Sequence, residues 1–212
     1  MIYLLEQIAE EKLSGREKSR AQSEAARGLL LFGLFKEYGL CELPKVERSE
    51  QGKPYFPEYP QIKFNYSHCG AGILCGISKH EIGVDVERRI PFNERLVKYI
   101  CHENEKQLFI DTESLALKER LLTRFWTAKE SYLKCTGTGI RIRMDELDFS
   151  KCMDGGIFQE EYQMYFEEGQ DCGIAVCEKM KSSQMTAISV KRVTAKEITR
   201  QICRENSNIK IK

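Results

Sequence analysis

An α+β fold built from two similar halves is what this sequence predicts, on three observations. Two stretches, about 23–38 and 114–135, carry apolar residues at helical spacing. Each is followed by two or three short segments of alternating or continuous apolar residues that read as strands. Four of the five prolines fall in 44–60, outside both helical stretches. The expected architecture is a pseudo-twofold pair of α+β units, 1–80 and 81–212, joined near 79–82. Each unit sets one long helix on a small, mostly antiparallel sheet.

The elements follow in order. Residues 1–8 read as a short strand; its apolar start turns acidic at Glu6, too soon for a secretory signal. The segment from Glu10 to Arg27 is charged and helical, with Arg16, Lys18, Arg20 and Arg27 as its cations. In the first long helix Ala26, Leu29, Leu30, Phe32, Gly33 and Phe35 make a broad apolar stripe, and Gly39 is a natural stop. An irregular loop over 44–60 holds Gln51-Gly52-Lys53-Pro54-Tyr55. Ile62, Phe64 and Tyr66 then share one face of an alternating strand, and a tight loop from Ser67 to Gly72 leads to a strand over Ile73–Ser78. After a turn at Lys79-His80-Glu81 comes the strand Ile82-Gly83-Val84-Asp85-Val86-Glu87.

Residues 93–111 read as a polar helix. In the second long helix Leu117, Leu121, Leu122, Phe125, Ala128, Tyr132 and Leu133 keep the helical period, Trp126 reads as core, and Gly137 and Gly139 end the run. Strands are expected near 157–166, 172–178 and 185–191, and Thr194-x-x-Glu197 is a capping-box pattern opening a last short helix. The tail after Asn206 is expected to fray.

Composition narrows the function classes. Hydrophobic residues are 42% and charged residues 31%, as in a globular domain. A net charge of +1 lacks the basic excess of a general nucleic-acid binder. No apolar run approaches the roughly 18–20 residues that span a bilayer. The nine cysteines include no Cys-x-x-Cys pair, and Cys69, Cys75, Cys172 and Cys177 lie in or beside apolar strands. The expectation is reduced thiols and a cytoplasmic protein. His68, His80 and His102 show no ligand spacing with the cysteines, which argues against zinc.

The chemistry concentrates in two short runs. Asp85 and Glu87, two apart on a strand, point the same way, with Val84 and Val86 packed behind. Glu130 and Lys134, four apart on a helix, project together. If strand and helix are neighbours, three carboxylates and an ammonium converge into a nest for a hard cation and a phosphate. Each residue also has a plainer reading. Glu130 and Lys134 make an exposed ion pair worth about 0.3–0.5 kcal/mol. Asp85 and Glu87 line a solvated strand edge, His68 is a turn residue, Lys53 a loop lysine, and Arg16–Arg27 a solvated helix face.

Taken together, Gly52-Lys53-Pro54, Phe64-Asn65-Tyr66-Ser67-His68, the run Ile82–Glu87, and Trp126-Thr127-Ala128-Lys129-Glu130-Ser131-Tyr132-Leu133-Lys134 with Gly137 and Gly139 resemble the 4′-phosphopantetheinyl transferase superfamily, in its larger pseudo-dimeric, surfactin-synthetase-activating class. The order and spacings match across about 50–150; the segment before the first long helix is shorter than usual for the class, and the chain after Ser150 carries no matching motif. The resemblance implies transfer of the phosphopantetheine arm of coenzyme A to a serine of an apo acyl or peptidyl carrier protein, with magnesium required and adenosine 3′,5′-bisphosphate released. It implies Asp85, Glu87 and Glu130 as metal ligands, Glu130 as general base and Lys134 on the diphosphate. It places Lys53, Ser67, His68, Asp85 and Lys134 against coenzyme A, with Arg27 bordering the nucleotide and Arg16 and Lys18 near the 3′-phosphate. By the same analogy the protein is a monomer, free of nucleic acid and membrane, serving fatty-acid, polyketide or nonribosomal-peptide synthesis. A metal-dependent nuclease and a non-catalytic carrier-docking module stand as the alternatives.

Overall fold

Ala26, Leu29, Leu30, Phe32 and Leu34 recur at helical spacing and form the buried side of one helix, α1 (Gly15–Tyr38). The protein is seen here as a computed structural model that describes residues 1–6, 15–139, 142–169, 171–181 and 185–201. The charged segment and the first long helix, expected separately, are continuous from Gly15; residues 10–14 lie outside the described part, as does the tail after Asn206. The strands that complete the first half are β1 (Ile2–Glu6), the two-residue pair β2 (Glu47–Arg48) and β3 (Pro54–Tyr55), β4 (Lys63–Cys69) and β5 (Gly72–Ser78). The second half contains β6 (Ile82–Arg88), α2 (Glu94–Ile100), α3 (Glu103–Ile110), α4 (Leu115–Thr136), β7 (Gly156–Phe158), β8 (Tyr162–Glu168), β9 (Cys172–Lys179) and β10 (Val190–Val193). A final short helix covers 195–201. Among the described residues, no helix is long and apolar enough to cross a membrane.

The two halves repeat one topology. In the first, β1 leads to α1, and the β4–β5 hairpin returns so that β5 pairs antiparallel with β1. In the second, β6 leads to α4, and the β8–β9 hairpin returns so that β9 pairs antiparallel with β6. The sheet orders are β10-β1-β5-β4 and β6-β9-β8-β7, with β10 joining β1 in parallel. Strand alternation gives each sheet two faces. Tyr3, Leu5, Phe64, Ile73, Cys75 and Ile77 pack under α1, whereas Ile2, Leu4, Leu74, Ile82, Val84, Val86, Ile174 and Val176 meet between the sheets. The layers therefore run helix, sheet, sheet, helix, with α1 and α4 outermost.

Several local readings change. Ser67 and His68 belong to β4 rather than to a loop, because Cys69 pairs with Gly72 and leaves only Gly70-Ala71 as the turn. The polar helix over 93–111 is two helices, since the chain breaks at Cys101-His102 and His102 with Glu105 forms a capping box for α3. The strand expected over 157–166 folds back on itself through Gln159 and Glu160, at φ 49° and 61°, into β7 and β8. The strand expected over 185–191 starts only at Val190; before it, Thr186 is held by both amide atoms of Gln163 instead of a backbone ladder. The loop over 44–60 contains the β2–β3 pair, turned by Gly52 at φ 88°. Thr194 and Glu197 exchange capping bonds as the sequence implies. Trp126 packs on the rim of the second core.

Two features seat α4 on its sheet. Gly83 faces the helix, and a Cβ there would overlap the Ser131 carbonyl and the Cys135 amide, so only glycine permits this approach. Gly173 does the same beneath Thr123, whose Cγ2 would be 2.9 Å from an added Cβ. On the other side of α4, Lys129 is fully buried; its Nζ donates to Glu105 Oε2 at 2.5 Å and to the carbonyls of Ile100, Met144 and Leu147. Glu105 also accepts the amides of His102 and Phe149. Burial pushes the Glu105 carboxyl up and the Lys129 ammonium down, each opposed by the partner's charge.

Gly83→Ala is expected to lower unfolding free energy by about 3 kcal/mol, the upper range for overpacking, read as a shift of the urea midpoint. Lys129→Met leaves Glu105 buried without its counter-charge and is expected to cost about 3–5 kcal/mol. Adding Glu105→Gln should recover part of that loss in the same urea titration.

Candidate active site

β6 presents Gly83, Asp85 and Glu87 on the face covered by α4. Because α4 lies at glycine distance, its own residues one turn apart, Glu130 and Lys134, reach the same place. Lys134 Nζ donates to Asp85 Oδ1 at 2.6 Å and to Ser67 Oγ at 3.1 Å, and lies 4.0 Å from Glu130 Oε2. Ser67 Oγ donates to Asp85 Oδ1 at 2.7 Å. The lysine is thus nearer the strand carboxylate than the carboxylate on its own helix. Ser67 arrives from the other half: β4, the edge strand of the first sheet, lies along the open edge of β6. There Asn65 Oδ1 accepts the Val84 amide at 3.0 Å, so a side chain satisfies a backbone donor that no neighbouring strand covers.

Asp85 is only 4% exposed, and its second oxygen, Oδ2, is buried with no hydrogen-bond partner. Burial raises the Glu130 carboxyl, Lys134 pulls it down, and the charges of Asp85 and Glu87 push it up again. Glu87 behaves alike: burial raises it, the Arg88 amide lowers it, Asp85 raises it and Lys134 lowers it. Three carboxylates that feel one another, one with an idle buried oxygen, make a donor set suited to a hard divalent cation. Among the described residues no three such ligands are yet gathered tightly enough to enclose one; the Lys134 ammonium fills the place beside Asp85.

One cleft opens onto this cluster and a second adjoins the first. One, of about 300 Å³, is lined by Gly52, Lys53, Asn65, Glu130, Leu133 and Lys134. The other, of about 560 Å³, continues past Lys53 to Tyr55, Lys63, Glu81 and Thr138. Lys53 forms the wall between them. Its Nζ donates to Glu81 Oε2 and to the Cys135 carbonyl at the end of α4, both at 2.5 Å.

The structure brings Ser67, Asp85, Glu130 and Lys134 together, keeps Glu87 on the same face, and sets Lys53 in the adjoining wall. It does not gather the rest with them. His68 follows Ser67 on β4 and by alternation faces the α1 side. Arg16, Lys18 and Arg27 lie on α1, across the first sheet; Arg16 and Arg27 are exposed and Lys18 half-buried. Sequence reasoning missed Asn65 and Glu81. Asn65 was within reach, since it shares a strand face with Ser67. Glu81 gave no signal, because its partners, Lys53 and Lys63, come from distant parts of the sequence.

Lys134→Met is expected to move both the Glu130 and the Glu87 carboxyls further up, since Lys134 lowers each. Carbon-13 NMR titration of the glutamate carboxyls checks this; an unchanged or lowered Glu130 midpoint would contradict the arrangement.

The profile of the 4′-phosphopantetheinyl transferase superfamily matches residues 81–177, a span that runs from the start of β6 into β9 and includes both carboxylate-bearing elements. The 4′-phosphopantetheinyl transferase gsp of Aneurinibacillus migulanus is 27% identical over an alignment covering 92% of this chain and 86% of the relative. The 4′-phosphopantetheinyl transferase Sfp of Bacillus subtilis (strain 168) is 27% identical over 53% of this chain and 50% of its own length. That named psf-1 in Bacillus pumilus is 25% identical over 70% and 66%. With the profile on the part that carries the carboxylates and gsp aligned across 92% of this chain, the protein is similar to the 4′-phosphopantetheinyl transferase superfamily and, within it, to Sfp-type members.

Proposed function

We propose that the protein transfers the 4′-phosphopantetheine arm of coenzyme A to a serine of an apo acyl or peptidyl carrier protein. In this reaction the serine oxygen bonds the phosphorus that carries pantetheine, the bridging P–O bond breaks, and adenosine 3′,5′-bisphosphate departs. The observation that carries the reading is the joint between halves. A buried aspartate with an idle oxygen, a lysine and a serine meet beside two adjoining clefts of about 300 and 560 Å³.

Each residue has work suited to its placement. Lys134, already poised among oxygens, would exchange Asp85 for a diphosphate oxygen. Glu130 would take the serine proton; its raised carboxyl is a better base than an ordinary glutamate, and it serves only when ionised. Lys53 and Ser67 would hold further phosphate oxygens. His68, Arg27, Arg16 and Lys18 would contact the nucleotide end of the ligand. Asp85, Glu87 and Glu130 would hold magnesium, which when bound supplies charge neutralisation for the diphosphate. The halves 1–80 and 81–212 act as units of one site, and we take a single chain to suffice. The free thiols of Cys69, Cys75, Cys101, Cys135, Cys152, Cys172 and Cys177 support a cytoplasmic setting.

The test is the intact mass of apo carrier proteins from fatty-acid, polyketide and nonribosomal-peptide systems after incubation with enzyme, coenzyme A and magnesium. Gain of the phosphopantetheine arm is expected for at least one. Glu130→Gln and Asp85→Asn should each lower the rate by about 10²–10³ while circular dichroism stays unchanged. Near-normal turnover of either variant, or nicking of plasmid DNA without carrier modification, would sink the assignment.

A further inference from the structure

Glu81 is the residue before β6, and its backbone is fixed from two sides: its carbonyl accepts the Lys179 amide at 2.8 Å and the Cys135 thiol at 3.2 Å. Its side chain is therefore launched from a firm point into the larger cleft. There it lies between two lysines. Oε2 meets Lys53 Nζ at 2.5 Å and Oε1 meets Lys63 Nζ at 3.1 Å. All three line the same cleft, and Lys53 also walls the part that holds Glu130 and Lys134. Two ammonium groups side by side in a groove make a phosphate-binding pair, and one carboxylate bridges both of them. Glu81 is 39% exposed, so a ligand entering the cleft reaches it.

We infer that Glu81 is a built-in rival of the phosphate groups of the ligand, tempering coenzyme A affinity by occupying Lys53 and Lys63, with Lys63 as an added phosphate contact. The inference rests on the coenzyme A reading given above. A phosphate that engages the two lysines has to displace the Glu81 carboxylate or share them with it. Burial would raise the Glu81 carboxyl, but hydrogen bonds and charge from Lys53 and Lys63 hold it below its ordinary value, so it stays anionic around neutral pH. Glu81 thus opposes a polyanion entering and favours the release of a charged product.

Titration calorimetry of wild type, Glu81→Gln and Lys63→Gln with coenzyme A, with inorganic pyrophosphate and with uncharged pantetheine tests this. Glu81→Gln is expected to bind coenzyme A and pyrophosphate about 3–10-fold more tightly at low salt, the gain shrinking as salt rises. Lys63→Gln is expected to bind both a few-fold more weakly, and pantetheine should not distinguish the three proteins. Equal or weaker binding of both anions by Glu81→Gln overturns the inference, as does a matching change with pantetheine, which would mean a reshaped cleft. If pyrophosphate shows the gain while coenzyme A binds no variant, the rivalry stands and the coenzyme A reading fails.

Discussion

The contact between Gly83 and the backbone of α4 at Ser131 and Cys135 fixes the distance on which the site depends. A residue with any side chain at 83 would lift the helix from β6, and Glu130 and Lys134 would rise with it. Asp85, two positions along the same face, would then lose the lysine that now sits 2.6 Å away. The site's charge balance is therefore a consequence of a steric fact about a residue that carries no charge. Gly173, across the ladder from Glu87, extends the same close approach to the next turns of the helix.

Consecutive residues of α4 serve opposite ends. Lys129 points into the protein and is locked to Glu105 and three carbonyls; Glu130 points to the cleft. The buried pair resists rotation of the helix, because turning α4 would strip an ammonium of all its partners at once. Glu130 and Lys134 are thereby held in azimuth by a neighbour that never meets the ligand. The carboxylate cluster itself is under mutual repulsion relieved by one lysine, an arrangement that favours the arrival of further positive charge.

What the sequence disclosed was what local periodicity can encode. The heptad-like spacing of Leu121, Phe125, Ala128 and Tyr132 located α4, and alternation around Val84 and Val86 located β6 and the shared face of Asp85 and Glu87. The convergence of strand and helix residues followed once the two were taken as neighbours. What stayed hidden was non-local. Gly83 looks like any strand glycine until the helix is laid over it. Ser67 read as loop because Cys69-Gly70-Ala71-Gly72 is rich in small residues, whereas pairing with β5 extends the strand through it. Glu81 looked like a turn residue, and only the fold brings Lys53 and Lys63 to it. The cationic stretch on α1 was visible in sequence as a charge pattern, and the fold sets it across a sheet from the carboxylates.

The parallel pairing of β10 with β1 sews the last described strand to the first, Val190 beside Ile2. Chain synthesis makes these partners far apart in time. β1 and β5 can zip together early, yet β1 keeps a bare edge until residues 190–193 have emerged, and long-range closures of this kind are slow. An uncovered strand edge is a template for unwanted association while it waits. The nascent first half therefore passes through an interval of vulnerability that ends only when the returning strand docks.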